Sequence, residues 1–242
     1  MAPKTYLWLE DREGKASYTF WTILMEQLYP GVIVESKKNN SELVKAVKTL
    51  ADTRNRYIIV FDNSFDNVQI YMEQRALEHA AAGKDNVYLL HLVCFEYTLL
   101  EFDQLIDWLY APDDEFREKR SAAIAAREKL VKMLRSGNMD YKIARELVEY
   151  DKNMSSHNIE QLSSKLLFDL TRNTGWEVSK GRIGDCWIKS CCEWTERQAD
   201  DICGLDADNL TVSEKMHAVF HGTSLSREFS EIGWRCLCDY HL

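Results

Sequence analysis

The chain has 242 residues, 45% of them hydrophobic and 29% charged, with ten glycines and three prolines. That balance supplies an ample core for one large or two small domains, and it excludes a fibrous or low-complexity chain. A formal net charge of −9 argues against a protein that coats nucleic acid non-specifically. No stretch is long and apolar enough to span a bilayer, and the N-terminus has no charged-then-apolar leader pattern. The seven cysteines are odd in number and irregularly spaced, which favours reduced thiols and a cytoplasmic setting over a disulfide framework.

In chain order, Thr5–Leu9 reads as a first strand running into Glu10-Asp11. A helix follows with Trp21, Leu24, Met25 and Leu28 on one face, stopped by Pro30-Gly31. Val32–Val34 reads as a short second strand, and Asn39-Asn40-Ser41 as a turn and cap before Leu43, Val47 and Leu50. Tyr57–Phe61 is an unbroken apolar run, the pattern of a strand buried on both faces of a parallel sheet. A helix from about Asn67 to Ala82, ended by Gly83, separates it from a fourth strand at Val87–Val93. Cys94-Phe95-Glu96 then opens a helix whose apolar face includes Leu99, Leu100, Leu105 and Trp108.

This β-α alternation predicts an α/β fold: a four-stranded parallel sheet with helices on both faces, covering residues 1–111. Residues 112–242 read as a mostly helical C-terminal region. One long helix is predicted over Asp114–Arg135, with others over Tyr141–Asp151, Asn158–Thr171, Trp194–Ile202, Ser213–His221 and Ser226–Trp234. Arg172–Asp185, with three glycines, reads as a looser stretch.

Acidic residues fall where such a sheet collects ligands, beyond the carboxyl ends of its strands. Glu10 and Asp11 follow the first strand, Asp62 and Asp66 the third, and Glu96 the fourth. Carboxylates gathered in one place repel unless a proton or a cation lies between them, and Mg²⁺ prefers such oxygen ligands. Taken singly, each acid is also compatible with a solvated loop or a helix cap.

The arrangement resembles the topoisomerase–primase (TOPRIM) family. Leu7-Trp8-Leu9-Glu10, with Gly14 close by, is similar to its first motif, and Ile58-Ile59-Val60-Phe61-Asp62 to its second. Two departures stand out: the aspartates are spaced Asp62-x-x-x-Asp66 instead of Asp-x-Asp, and the glycine adjoins Glu13, a rival to Glu10. Glu96 is similar to an additional acid carried by nuclease members. The resemblance implies a Rossmann-like sheet and Mg²⁺- or Mn²⁺-dependent cleavage of a phosphodiester, as in a TOPRIM-like endonuclease of phage defence or mobile-element biology. Glu10, Asp62 and Asp66 would be catalytic, and Glu10, Asp62, Asp66 and Glu96 would hold metal. The alternative is a non-catalytic or receiver-like binding module acting through protein partners. For that reading Leu9-Glu10-Asp11 and Asp62 resemble the receiver acids, but Cys94-Phe95-Glu96 stands where receivers place threonine or serine, and a fifth strand ending in lysine is missing.

Lys37 and Lys38, after the second strand, are the candidate nucleic-acid contacts, with DNA ahead of RNA as substrate and a protein partner or homodimer expected. Arg117, Lys119, Arg120, Arg127, Lys129, Lys132 and Arg135 give the long helix a basic bias, alongside an ordinary solvated face with pairs such as Glu115–Lys119 and Glu128–Lys132. Cys186, Cys191, Cys192 and Cys203, and then Cys236, Cys238 and His241, lack the tight Cys-x-x-Cys spacing of zinc knuckles, so buried thiols are the simpler expectation.

Overall fold

The computed structural model describes residues 2–63, 66–110, 113–138, 140–152, 157–190 and 210–234. Four strands, β1 (Thr5–Leu9), β2 (Val32–Ser36), β3 (Arg56–Asp62) and β4 (Val87–Leu92), form an all-parallel sheet in the order β2-β1-β3-β4. The predicted α/β class and four-stranded sheet are therefore observed. Leu9 stands opposite Ser36 on one side and Val60 on the other, and Asp62 stands opposite Leu92.

The unbroken apolar strands are explained by two helical layers. Leu7, Leu9, Ile58, Val60, Leu90 and Leu92 face one layer, whose core includes Phe20, Trp21 and Leu24 of α1 (Ala16–Leu28). Trp8, Tyr57, Ile59 and Phe61 face the other, where they meet Leu43 and Val47 of α2 (Asn40–Thr49) and Leu77 of α3 (Val68–Ala81). Side chains alternate between faces along each strand, so both sets must be apolar. Asn39 caps α2 by accepting from Glu42 N at 2.9 Å, and Asn67 caps α3 by accepting from Gln69 and Ile70.

The helix predicted across Leu99–Trp108 is two helices, α4 (Phe95–Leu100) and α5 (Leu105–Tyr110). The cause lies elsewhere in the chain. Arg127 donates to the carbonyls of Leu100 and Phe102, and Arg135 donates to that of Glu101, at 2.6–2.8 Å. These side chains occupy carbonyls that a continuous helix would use itself. The predicted Asp114–Arg135 helix is likewise divided at Arg120, into α6 (Asp114–Lys119) and α7 (Ser121–Arg135).

Beyond these lie α8 (Tyr141–Tyr150) and α9 (Ile159–Thr171), then a hairpin of β5 (Val178–Ser179) and β6 (Arg182–Ile183), α10 (Val212–Phe220) and α11 (Ser224–Glu231). The hairpin replaces part of the loose stretch predicted there. Its two ends are drawn together by a close backbone crossing, in which a Cβ at Gly184 would collide with the Gly175 carbonyl. The helix predicted at Trp194–Ile202 lies outside the described residues. One apolar core joins both halves of the chain, running from Leu7 and Trp21 through Leu166, Trp176 and Trp187 to Phe229. Glu101, 1% exposed, anchors α11 by accepting from Ser224 N at 2.7 Å and pairing with Arg135 at 3.1 Å. Among the described residues no helix is long and apolar enough to cross a membrane.

Candidate functional site

The chain passes from β1 outward to β2 and then returns across β1 to β3, so the direction of winding reverses between β1 and β3. Open α/β sheets bind ligands in the crevice beyond such a reversal. Glu10 follows β1 directly and Asp62 is the last residue of β3, so these two carboxylates flank the crevice. Glu96 joins them from the first turn of α4, which starts where β4 has ended.

These acids are close enough to influence one another's charge. Burial, then the charges of Asp11, Glu160 and Glu73, pushes Glu10 up to about 8, against a smaller downward pull from the Asp62 backbone N–H. Asp62 is driven well above the usual carboxylate range by burial and by Glu10, Glu96, Asp11 and Glu160. Burial also raises Glu96 and Asp11, opposed at Glu96 by the hydroxyl of Ser164, which donates at 3.1 Å, and at Asp11 by Ser17. Desolvation and like charge both disfavour ionisation of this group, and a cation among the acids would relieve both. Cys94, adjoining Glu96 and Asp62, is raised by burial and by both acids, and it stays an unreactive thiol whose sulfur caps α4 by accepting from Tyr97 N.

Two residues enter the site without any signal in their local sequence. Glu160, in the first turn of α9, is raised by burial and by Asp11 and Asp66, and its charge in turn reaches Glu10, Asp62 and Glu96. Lys180, at the turn of the β5–β6 hairpin, is the cation that pulls Glu160 the other way. Glu73 of α3 stands at the edge, held by Asn40 Nδ2 at 2.9 Å and Gln69 at 3.3 Å.

Other candidates are committed elsewhere. Asp66 is exposed and its carboxylate accepts from the backbone N–H of Ile159 at 2.8 Å, so it holds the start of α9. Lys37 Nζ lies 2.8 Å from Glu35 and 4.0 Å from the Trp8 ring, whereas Lys38 is exposed with φ of 74°. On the basic helices, Lys119 pairs with Glu115, Arg117 with Asp107 and Lys129 with Glu146, and Arg127 is buried. Cys186 is buried, while Cys191, Cys192, Cys203, Cys236, Cys238 and His241 lie outside the described residues.

No family model, curated protein or solved structure matches this chain. The site must therefore be judged on its own chemistry. Among the described residues, no three His, Cys, Asp or Glu side chains are drawn together closely enough to hold one ion. The donor chemistry nevertheless suits a hard divalent cation, since the carboxylates offer oxygen only. Asn40 Oδ1, beside the amide that holds Glu73, is a further oxygen, buried without a hydrogen-bond partner among the described residues.

Proposed function

We propose that the cleft beyond β1, β3 and β4 takes Mg²⁺ or Mn²⁺ and that the chain is a metal-dependent nuclease acting on nucleic-acid phosphodiesters, DNA ahead of RNA. The observation that carries this reading is that Glu10, Asp62, Glu96 and Glu160 approach one cleft from four separate parts of the chain: Glu10, Glu96 and Glu160 all raise Asp62, and Glu160 also raises Glu10 and Glu96. A buried group of acids costs stability, and a site that uses the charge offsets that cost with function.

Asp62, Glu96 and Glu160 would form the ligand side of the site by drawing in around an ion, since they are not drawn together without one, and Asp66 is a support for α9. Glu10, held near 8, exchanges a proton close to neutral pH, which suits an acid or base at the attacking or leaving oxygen. A divalent ion, when bound, supplies charge stabilisation for those oxygens. Lys180 lies on the α9 side, where a phosphate oxygen would meet a positive charge. The TOPRIM resemblance of the strand-end motifs supports the same reaction class.

The test is cleavage of single-stranded, duplex and supercoiled DNA, and of RNA, with Mg²⁺, Mn²⁺ or chelator. Metal-dependent cleavage is expected, reduced about 10²–10³-fold by Glu10→Gln or Asp62→Asn, the scale of losing a main electrostatic stabiliser. Cleavage undiminished in the double variant overturns the assignment, as does inactivity on every substrate combined with a melting temperature that neither metal moves.

A further inference from the structure

Beside the acids, at the carboxyl end of β2, lies a groove of about 370 Å³ lined by Ser36, Lys37, Lys38, Glu42, Lys45 and Thr49. Its floor is joined to the acidic cleft through the backbone. The N–H of Lys37 donates to the carbonyl of Leu9 at 2.6 Å, and Leu9 is the residue before Glu10. The groove therefore begins one strand away from the proposed reaction centre.

Its three lysines are not equivalent. The Lys37 ammonium is held by Glu35 at 2.8 Å and packs over the Trp8 ring at 4.0 Å, so its charge is already answered. Lys38 is exposed, in a left-handed turn whose N–H is tied to Ser36 Oγ at 3.1 Å. It takes part in none of the ion pairs found among the described residues. Lys45 has only Glu42, at 3.6 Å, in a pair whose side chains are 70% and 52% exposed. Such a loose, solvated pair yields readily to a stronger anion. A chain of net charge −9 thus presents two available ammonium groups in one concavity next to the acidic cleft.

We infer that this groove binds a backbone phosphate of the nucleic acid next to the one being cleaved, gripped by Lys38 and Lys45, with Lys37 serving as a structural post. The inference rests on the nuclease reading above. Adjacent strands lie about 4.8 Å apart, so the groove at β2 borders the cleft at β1 and a strand gripped there runs on toward the acids. Contacts of this kind fix the register of the strand without reading its sequence. They also offset the repulsion that the acids exert on an incoming polyanion.

The experiment measures binding of labelled single-stranded and duplex oligonucleotides by fluorescence anisotropy over roughly 50–200 mM salt. Ca²⁺ replaces Mg²⁺, so that affinity is read apart from turnover. Lys38→Ala combined with Lys45→Ala should weaken binding at every sequence tested and reduce the slope of log affinity against log salt by about 2. Arginine at both positions should restore the slope. Lys37→Ala should lower the melting temperature and leave the slope unchanged. A double alanine variant that keeps wild-type affinity and slope overturns the groove while leaving the nuclease reading standing, and so does a Lys37→Ala variant that alone flattens the slope. A wild-type chain that binds no strand removes both.

Discussion

Glu10→Gln provides a direct test of whether the acids face one another in the folded chain, independent of any activity. Glu10 is carried from an ordinary value of 4.5 to about 8. At about 1.4 kcal/mol per pKa unit, ionising it in the folded state costs up to about 5 kcal/mol. The sign follows from proton counting. Between pH 4.5 and 8 the folded chain keeps a proton that the unfolded chain has released, so stability falls across that window and levels off above it. Asp62, Glu96, Asp11 and Glu160 are raised as well, so their contributions have the same sign. Glutamine is neutral throughout. In chelator, Glu10→Gln should match the wild type near pH 4.5 and exceed it by about 2–5 kcal/mol at pH 8. For a chain of this size that is roughly 4–20 °C in melting temperature, at about 2–4 °C per kcal/mol. Reversible urea denaturation at intervals from pH 4.5 to 8.5 reads the difference; titrations of groups remote from Glu10 cancel in it, and relief of Asp62, which the charge of Glu10 raises, adds to it with the same sign. Curves that run parallel over the whole range would refute the reasoning. Millimolar Mg²⁺ or Mn²⁺ should recover the loss in the wild type by binding the folded state, and should do far less for Asp62→Asn.

Asp66→Ala should cost about 1 kcal/mol, because it removes an acceptor at the start of α9. It should leave the metal-induced rise in melting temperature intact; loss of that rise without loss of stability would return Asp66 to the ligand set. Glu101→Ala should cost about 1–3 kcal/mol in denaturation, since it leaves the Ser224 N–H without its acceptor and removes one of the two carboxylates that pair with Arg135, the other being Asp103. Hydrogen exchange should then quicken first in α11, and a cost below about 1 kcal/mol would show that α11 is held by its apolar face alone.

The sheet was legible because strands buried on two faces leave continuous apolar runs, as in Tyr57–Phe61, and because strand ends in this class carry polar residues outward. Glu10, Asp62 and Glu96 could be placed for that reason. Glu160 could not. An acid in the first turn of a helix, three residues before Ser163 and just after the Asn158 cap, looks like ordinary complementation of the helix dipole. Nothing local marks it as facing strands more than 60 residues earlier. The break between α4 and α5 was hidden for a similar reason, since it depends on Arg127 and Arg135, which come from a later helix. Strands of two residues, such as β5 and β6, are too short for any alternation to register, so Lys180 had no visible place. The inequality of Lys37 and Lys38 was equally invisible, because it is set by Glu35 and Trp8, whose positions depend on strand register.

Glu160 belongs to α9, the helix that joins the acids to the core. Its first N–H is held by Asp66, Glu160 stands one residue further on, and Ser164 reaches Glu96 a turn later. The opposite face of the same helix, through Ile159, Leu162, Leu166 and Leu170, is buried in the core that runs under the sheet. Each buried aliphatic side chain is worth roughly 1.5–3 kcal/mol against exposure. The apolar face thus supplies the stability that the carboxylates opposite it consume. The sheet ends by themselves bring Glu10, Asp62 and Glu96 to one edge, but the acid that closes the cleft arrives only when the helical half has docked. The site is therefore a property of the whole chain, and α9 is the element whose displacement would dismantle it.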